Sequence, residues 1–298
     1  YYLKHIMNEM NDLNNLHLYD LYKKSPLESH KWESYFYIYE EIFNEHKGKD
    51  ITFVEVGVHN GGSLFMWKEY FGKNSRIVGV DLNPNAKLLE EYGFEIYIGS
   101  QNDSDFWDNF HKEVNGIDIL LDDGSHDYYD QILTLNKAVP NIRDNGIIVI
   151  EDTHTSYIKR FGYKTTKTFT DFIGRIISNM HKKHPQAELS KEKNIYDSIY
   201  KITSYESITA FYIDSNLNKI NKPTMNHDKN IGSTDFRYSE TIFGRLLSMA
   251  DKNQEYLIAK KRNLFVKILL RLSSYYIKSI HQVRNLVNRN KINKMFFS

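Results

Sequence analysis

The stretch from Asp122 to His126 brings together residue types that can do chemistry. Two carboxylates, a glycine, a hydroxyl and an imidazole directly follow the apolar run from Ile117 to Leu121, which is typical of a buried parallel strand. In an open α/β sheet, ligands bind at the carboxyl ends of the strands. Cation ligands and a proton acceptor at this edge favour a catalytic site over the alternative, an ordinary polar turn. A second apolar run, from Gly146 to Ile150, also ends in acids, Glu151 and Asp152.

The elements that position these residues follow from the pattern of apolar runs and helical periodicity. Five apolar runs alternate with helices, which predicts a parallel, doubly wound sheet in an α/β, Rossmann-like fold. The expected strands are Ile51 to Val58, Arg76 to Val80, Phe94 to Ile98, Ile117 to Leu121 and Gly146 to Ile150. An alternating segment from Tyr205 to Ile213, a turn at 214 to 216 and a return through Leu217 to Ile220 predict an antiparallel hairpin, for seven strands in all.

An amphipathic helix is predicted immediately before the first strand. Apolar and aromatic side chains recur at helical spacing from about residue 30 to 46, and Gly48 ends the pattern. We interpret this aromatic stripe as core in preference to a ligand-binding face. Further helices are expected at about 84 to 91, 103 to 114, 128 to 139 and 168 to 182.

A glycine-rich turn follows the first strand and opens the next helix, as in nucleotide-binding folds. A pyrophosphate loop would read Gly-x-Gly-x-x-Gly, but here Gly57 and Gly61 lack the middle glycine. Glu55 at the strand end suits a cofactor with a cationic amino-acid end, such as S-adenosylmethionine, and Asp81 is placed to accept the ribose hydroxyls. The residues expected to contact the cofactor are Glu55, Gly57, Gly61, Ser63, Asp81, Gln101, near the adenine, and Asp122, whose alternative role is to brace the strand end.

Three motifs resemble the macrocin and mycinamicin sugar O-methyltransferases. They are Glu-x-Gly-Val with Gly-Gly-Ser-Leu-x-Met-Trp (55 to 67), Asp-Asp-Gly-Ser-His (122 to 126) and Ile-Glu-Asp-Thr-x-Thr-Ser-Tyr (150 to 157). The resemblance covers roughly residues 30 to 220. It implies a class I methyltransferase fold, S-adenosylmethionine as methyl donor, a magnesium ion and a sugar hydroxyl as acceptor. Carried over by motif, Asp123, Glu151 and Asp152 are metal ligands and His126 is the general base.

The residue types agree with these implied roles. Three carboxylates in a chain without cysteine favour magnesium or manganese over zinc. A metal-polarised hydroxyl and a histidine that accepts its proton would turn a sugar hydroxyl into a competent nucleophile. Neighbouring fourth and fifth strands would bring Asp123 within reach of the Glu151 and Asp152 pair.

Composition narrows the class of protein and its partners. The chain has 298 residues, 41% hydrophobic and 26% charged, as in an ordinary globular protein. A net charge of +1 argues against a dedicated nucleic-acid binder, and the absence of cysteine suits a reducing compartment, so we expect a cytoplasmic protein. No apolar run is long enough for a membrane span. Because the chain begins with Tyr, it is expected to be a piece of a longer protein.

We expect three segments: a lead-in (1 to 30), a methyltransferase domain (31 to 240) and a basic helical extension (241 to 298). Ten basic residues and no acid occur from Lys260 onward, with apolar residues at helical spacing. Such a tail would lie on the inner face of an anionic membrane or pack on the domain or a partner subunit. The expected partners are a small-molecule or glycan acceptor and further copies of the chain in a homo-oligomer.

Two other functions fit part of the sequence. An NAD-dependent oxidoreductase would use the same fold, but the missing middle glycine argues against it. A catalytically silent scaffold domain of a glycan-assembly complex would explain the tail, but not the two acid clusters and the histidine. Bacterial surface glycans, their nucleotide-sugar precursors and glycosylated natural products are the candidate acceptors.

Overall fold

The computed structural model describes residues 13–161, 167–184, 187, 194–217, 224–226 and 264–296. The chain forms two compact units, Tyr1–Pro223 and Thr224–Ser298. The first unit contains seven strands: β1 (Thr52–Val56), β2 (Arg76–Asp81), β3 (Glu95–Ile98), β4 (Ile117–Asp122), β5 (Ile142–Ile150), β6 (Ile199–Ser204) and β7 (Thr209–Ile213). They form one sheet in the order β3-β2-β1-β4-β5-β7-β6, parallel except for β7, which is antiparallel to both of its neighbours.

Six α-helices of the described residues accompany the sheet: α1 (His17–Lys24), α2 (Glu33–Phe43), α3 (Gly62–Phe71), α4 (Ser104–Glu113), α5 (Tyr128–Ala138) and α6 (Phe169–Lys182). A 3₁₀ segment, Pro84–Tyr92, connects β2 to β3. Several helices begin at a side-chain cap that sequence patterns predict. Asp103 accepts hydrogen bonds from two backbone amides at the start of α4, and Thr168 forms a capping box with Asp171 at the start of α6.

Successive side chains of the central strands point to opposite faces of the sheet, and each face has its own apolar core. Phe53 and Val54 are both fully buried, yet they belong to separate clusters on opposite faces, and Ile147 and Ile148 divide in the same way. Helices α1 to α3 cover the first face and α4 to α6 cover the second. Because both faces are buried, the strands are continuously apolar.

The carboxyl ends of the central strands are level with one another. Val56 of β1 pairs with Asp122 of β4, which in turn pairs with Ile150 of β5. The amide of Asp123 donates to the carbonyl of Val56, and the amide of Glu151 donates to the carbonyl of Asp122 (both 2.9 Å). The residues that follow these strands therefore share one edge of the sheet.

The doubly wound sheet, its five parallel strands and its antiparallel end are confirmed, but the predicted position of the hairpin is wrong. The two strands are β6 and β7, joined by a turn in which the amide of Tyr205 donates to the carbonyl of Ile208. The alternating pattern from Tyr205 onward therefore covers this turn as well as β7. At the predicted turn, Asp214 instead accepts hydrogen bonds from the amides of Asn216 and Leu217. Residues 218–220 of the expected return lie outside the described residues.

The second unit contains α7 (Leu264–Phe296), which confirms the predicted helical tail. Residues 241–263 of that extension lie outside the described residues. Several large apolar side chains of α7 are exposed, among them Leu272, Tyr275 and Leu286. Among the described residues, no helix has the length and apolar character needed to cross a membrane.

A buried histidine makes the stability of the first unit depend on pH. His111 in α4 is 9% exposed and stacks on Trp107, and neither ring nitrogen has a hydrogen-bond partner among the described residues. Burial lowers the pKa of His111 from 6.5 to about 4. Below pH 6.5 the unfolded chain therefore binds a proton that the folded chain does not, and stability falls until about pH 4.

We expect the His111 contribution to lower the free energy of unfolding by about 3 kcal/mol between pH 6.5 and 4. His111→Phe keeps an aromatic ring against Trp107 and removes the titrating group. Denaturant unfolding at several pH values should show a shallower acid loss for His111→Phe than for the parent chain. Parallel stability curves for the two proteins would contradict this account.

Candidate active site

A cavity of about 980 Å³ opens at the carboxyl edge of the sheet. Its wall includes the glycine turn after β1, Asp81 at the end of β2, Gln101 after β3 and the acids after β4 and β5. The remaining wall comes from the segment before α2, including Lys31 and Trp32. A cavity at this position in a doubly wound sheet is the expected place for a nucleotide cofactor and its partner substrate.

Gly57 allows the loop after β4 to cross close to the glycine turn. Its φ is +84°, and a Cβ atom at this position would lie 2.1 Å from the backbone oxygen of Asp123 and 2.8 Å from Cα of Gly124. A side chain at position 57 would therefore displace Asp123 at the end of β4. The requirement for glycine is both conformational and steric.

Gly57→Ala should destabilise the protein by about 2 to 5 kcal/mol, from the left-handed backbone and the forced contact together. Gly93→Ala is a matched control, because Gly93 has a φ of +85° and its Cβ would meet nothing within 4 Å. Chemical denaturation of both variants separates the steric cost from the conformational one. Equal losses in the two variants would show that the approach of Asp123 does not require glycine.

A lysine ammonium lies in a cluster of three acids beneath the cavity. The side chain of Lys31 is 2% exposed, and its Nζ lies 2.6 Å from Asp123 Oδ2, 3.0 Å from Glu151 Oε1 and 3.4 Å from Glu55 Oε1. Tyr39, which is fully buried in α2, donates its hydroxyl to Glu151. We call Lys31, Glu55, Asp123 and Glu151 the buried ion cluster.

Burial and the neighbouring charges shift the pKa values of the groups in the buried ion cluster. Burial raises the pKa of Glu55, and Lys31 and Ser63 only partly offset this. Burial and repulsion from Asp123 raise the pKa of Glu151 well above its usual value. Burial alone would lower the pKa of Lys31, but the three carboxylates outweigh it and hold the pKa well above its usual value. Lys31 is therefore a permanent cation in this site.

A second group faces the cavity beside this cluster. Asp123, His126 and Asp152 each offer one ligand atom, and these atoms lie within 4.8 Å of one another. His126 Nδ1 is 3.5 Å from Asp152 Oδ2. The three side chains are 16 to 27% exposed, so an ion or substrate in the cavity can reach them. Two oxygen ligands and one imidazole fit a divalent ion such as magnesium or manganese.

The predicted metal ligands are thus brought together only in part. Asp123 and Asp152 meet as expected, but the carboxylate of Glu151 is 1% exposed and is bound to Lys31 and Tyr39. The third group beside the two aspartates in this structure is His126, which sequence reasoning assigned as the base. The roles of Glu151 as a ligand and of His126 as the base stay predictions.

Backbone strain marks the same residues. His126 has a φ of +61° and Asp152 has a φ of +53°, both in the left-handed region that non-glycine residues rarely adopt. The hydroxyl of Thr155 bridges the two positions by donating to the carbonyls of both residues (2.8 Å each). Strain of this kind often occurs at functional sites, which supports a role for this pair.

The Asp152 carboxylate is held in place by a tyrosine. Tyr35 of α2 donates its hydroxyl to Asp152 Oδ1, and its oxygen also lies 2.7 Å from the hydroxyl of Ser207. His154 Nδ1 is 2.6 Å from the same serine hydroxyl. Burial and the bond to Asp152 raise the pKa of Tyr35, which keeps the hydroxyl protonated and able to donate.

Asp122 acts as a brace in this structure. It is 2% exposed, and both of its oxygens accept from Gln101 Nε2 at 2.7 Å, while Gln101 Oε1 accepts from the amide of Ser125 at 2.8 Å. Burial raises the pKa of Asp122 to about 7. The structure therefore favours the bracing alternative over direct cofactor contact, and the polar atoms of Gln101 hold the 122–126 loop.

The other predicted cofactor residues divide into two groups. Gly57, Ser63 and Asp81 line the cavity, and Asp81 also accepts backbone amides from His59 and Asn83. Glu55 and Gly61 do not line the cavity. Glu55 is fully buried and accepts a hydrogen bond from Ser63 (2.7 Å), so it orients the loop electrostatically without facing the cavity.

Sequence reasoning missed four residues of the site: Lys31, Tyr35, Tyr39 and Ser207. The predicted aromatic stripe is core except for Trp32, which precedes α2 and is 61% exposed, and the hydroxyls of Tyr35 and Tyr39 bond to the acids. Two tyrosines four residues apart on a buried helical face were the available signal, because buried tyrosine hydroxyls need partners. No sequence pattern around Lys31 indicated that this residue lies in the site.

Comparisons with known proteins identify the fold as that of a methyltransferase. Residues 54–153 match a protein family described as a methyltransferase domain. Crystal structures of the MycE methyltransferase of the mycinamycin pathway superpose with a TM-score of 0.60 at 24% identity, over 74% of this chain and 58% of MycE. The fold is the class I, Rossmann-like methyltransferase fold that the sequence predicts.

Curated proteins similar to this chain include sugar O-methyltransferases. A tetracenomycin rhamnosyl 2'-O-methyltransferase of Streptomyces olivaceus is 30% identical over 165 residues, and mycinamicin VI 2''-O-methyltransferase of Micromonospora griseorubida is 31% identical over 131 residues. The matches cover 51% and 42% of this chain, but only 43% and 32% of those relatives. Part of the chain is therefore similar in sequence to these sugar O-methyltransferases, in the region that holds its motifs, and the chain spans less than half the length of these two relatives.

Proposed function

We propose that this chain is an S-adenosylmethionine-dependent O-methyltransferase that acts on a sugar hydroxyl with the help of a divalent metal ion. The observation that carries the proposal is the junction of two sites at one sheet edge. The glycine turn and Asp81 line one part of the cavity, and Asp123, His126 and Asp152 face the same space. MycE, which shares the fold, was crystallised with magnesium and S-adenosylhomocysteine, and in a further structure with mycinamycin VI as well.

The glycine turn suits S-adenosylmethionine better than a dinucleotide. Where a dinucleotide loop has its middle glycine, this chain has His59, whose side chain lines the cavity and whose amide donates to Asp81. An imidazole there obstructs a pyrophosphate. Asp81 keeps oxygen lone pairs for the ribose hydroxyls, and Glu55 adds negative potential for the cationic amino-acid end.

In the proposed reaction, the acceptor hydroxyl attacks the methyl carbon of the sulfonium in line, and the carbon–sulfur bond breaks. The proton of the hydroxyl passes to the imidazole of His126, whose Nδ1 lies 3.5 Å from Asp152 Oδ2. A bound divalent ion would lower the pKa of the hydroxyl. Asp123 and Asp152 would hold that ion, with Glu151 as the predicted third ligand. Tyr35 fixes the Asp152 carboxylate through a hydrogen bond.

A sugar acceptor agrees with the outer part of the cavity. Trp32 is 61% exposed and lies on the cavity wall near His154, with ring centroids 6.4 Å apart. An exposed indole offers an apolar platform, and the polar groups beside it can bind hydroxyls. The acceptor candidates are a bacterial surface glycan, its nucleotide-sugar precursor and a glycosylated natural product.

Mass spectrometry tests this function directly. The full chain is incubated with methyl-labelled S-adenosylmethionine, Mg²⁺ and a panel of deoxysugar glycosides and surface oligosaccharides. We expect label in an acceptor sugar and loss of transfer when a chelator removes the metal. Chelator-insensitive transfer would remove the metal from the proposal, and NAD binding in place of S-adenosylhomocysteine would favour an oxidoreductase.

We also propose that α7 contacts an anionic membrane surface from the cytoplasmic side. The 33 residues of α7 include basic residues and no acid, and Leu272, Tyr275 and Leu286 are exposed. Co-sedimentation should be stronger with anionic vesicles than with neutral ones. Assembly into a homo-oligomer stays a prediction that sedimentation analysis can test.

A further inference from the structure

The Lys31 ammonium occupies the position of a cation between two predicted metal ligands. Its Nζ lies 2.6 Å from Asp123 and 3.0 Å from Glu151, and it also faces Glu55 at 3.4 Å. The side chain is 2% exposed. Asp123 belongs both to the buried ion cluster and to the group with His126 and Asp152 that faces the cavity.

The charges in this region do not balance. The buried ion cluster holds three carboxylates and one ammonium, whose Nζ lies within 3.4 Å of an oxygen of each carboxylate. A second cation is electrostatically favoured there. However, the ammonium already binds the Asp123 carboxylate through Oδ2, and two cations that share one carboxylate repel each other.

We propose that Lys31 is an internal cation that competes with the divalent metal ion for Asp123 and Glu151 and thereby sets the metal affinity of the site. The inference rests on the proposed metal site and adds a residue that neither the motifs nor the relatives assign. It also explains why the carboxylate of Glu151 is almost inaccessible from the cavity. With Lys31 in place, Glu151 is bound to the ammonium, and withdrawal of Lys31 frees it to act as the predicted third ligand.

The segment that carries Lys31 can accommodate such an exchange. Residues 25–32 contain no helix or strand and connect α1 to α2. The carbonyl of Glu28 accepts the amide of Gly62 at the start of α3, and Ser25 donates to the carbonyl of Gly62. A shift of Lys31 alone leaves these anchors intact. Because Lys31 and Trp32 also line the cavity, metal binding and the shape of the cavity wall are coupled.

The test compares Mn²⁺ affinity in the full chain and two variants, measured by electron paramagnetic resonance of free Mn²⁺ without donor or acceptor. Lys31→Met removes the ammonium but leaves three unpaired acids. Lys31→Met combined with Glu55→Gln removes one positive and one negative charge, so the net charge of the cluster matches the parent. The amide oxygen that Glu55→Gln introduces can still accept from Ser63. We expect the double variant to bind Mn²⁺ at least about tenfold more tightly than the parent.

The double variant decides the outcome even if Lys31→Met alone fails to fold. Lys112→Met removes the same charge from the exposed face of α4 and should leave Mn²⁺ affinity unchanged. Mn²⁺ binding by the double variant that is no tighter than that of the parent overturns the proposal, as does absence of binding in every protein. Failure of methyl transfer with this pattern of Mn²⁺ affinities intact would refute the proposed reaction but not the role of Lys31.

Discussion

His126→Ala should lower methyl-transfer turnover by about 10²- to 10⁴-fold, the range that a positioned general base contributes. Its affinity for S-adenosylhomocysteine should stay within about twofold of the parent, because the imidazole follows β4, lies beside Asp152 and is not part of the glycine turn. Single-turnover kinetics and isothermal titration of S-adenosylhomocysteine measure the two quantities separately. A large loss of cofactor affinity would refute the assignment of His126 as the base.

The same variant separates the two roles that the geometry allows His126. Its ring belongs to the group with Asp123 and Asp152 whose ligand atoms lie within 4.8 Å of one another. If His126 is the base, Mn²⁺ affinity should change little in His126→Ala. A large loss of Mn²⁺ affinity would instead make His126 a ligand, as the structure arranges it, and would leave the base to be found elsewhere. His154→Ala is a suitable control because it removes a neighbouring imidazole bound to Ser207.

Asp123→Asn should have the largest combined effect on metal binding and turnover. Asp123 is the carboxylate shared by the buried ion cluster and the cavity group, so its loss removes a charged metal ligand and the nearest partner of Lys31. We expect Mn²⁺ affinity to fall by at least about tenfold and turnover by at least about 10³-fold, since removal of a charged ligand weakens both binding and polarisation of the hydroxyl.

Asp127→Asn provides the matched control for this prediction. Asp127 caps α5 by accepting the amide of Tyr129, and asparagine caps a helix about as well. The control makes the same chemical change a short distance along the same loop and should retain metal binding and turnover. Unchanged Mn²⁺ affinity in Asp123→Asn would contradict a metal site at this carboxylate.

The part of the fold that the sequence predicts is the part governed by local pattern. Central strands buried on both faces must be continuously apolar, and the acids that end β4 and β5 mark where burial stops. Because neighbouring parallel strands end together, the meeting of Asp123 and Asp152 follows from strand order. The sequence predicted an antiparallel hairpin at the end of the sheet but placed it too far along the chain. The alternating pattern that begins at Tyr205 covers the turn between β6 and β7 as well as β7 itself.

The contacts that the sequence did not predict join residues that are far apart along the chain. Lys31 lies 92 residues before Asp123 and 120 before Glu151, and it belongs to a segment without periodicity. Nothing local distinguishes it from the other lysines of a chain with 39 basic residues. The burial of the Glu151 carboxylate follows from its contacts with Lys31 and Tyr39, so the sequence could not predict it either.

The most direct test of the central claim is a crystal structure of the full chain with S-adenosylhomocysteine and Mn²⁺, using anomalous scattering to locate the metal. We predict S-adenosylhomocysteine in the cavity, with its ribose at Asp81 and its amino-acid end at the glycine turn. We predict the Mn²⁺ peak on Asp123 and Asp152. S-adenosylhomocysteine bound outside the cavity, or Mn²⁺ bound away from both aspartates, would contradict the assignment of this sheet edge as a metal-assisted methyl-transfer site.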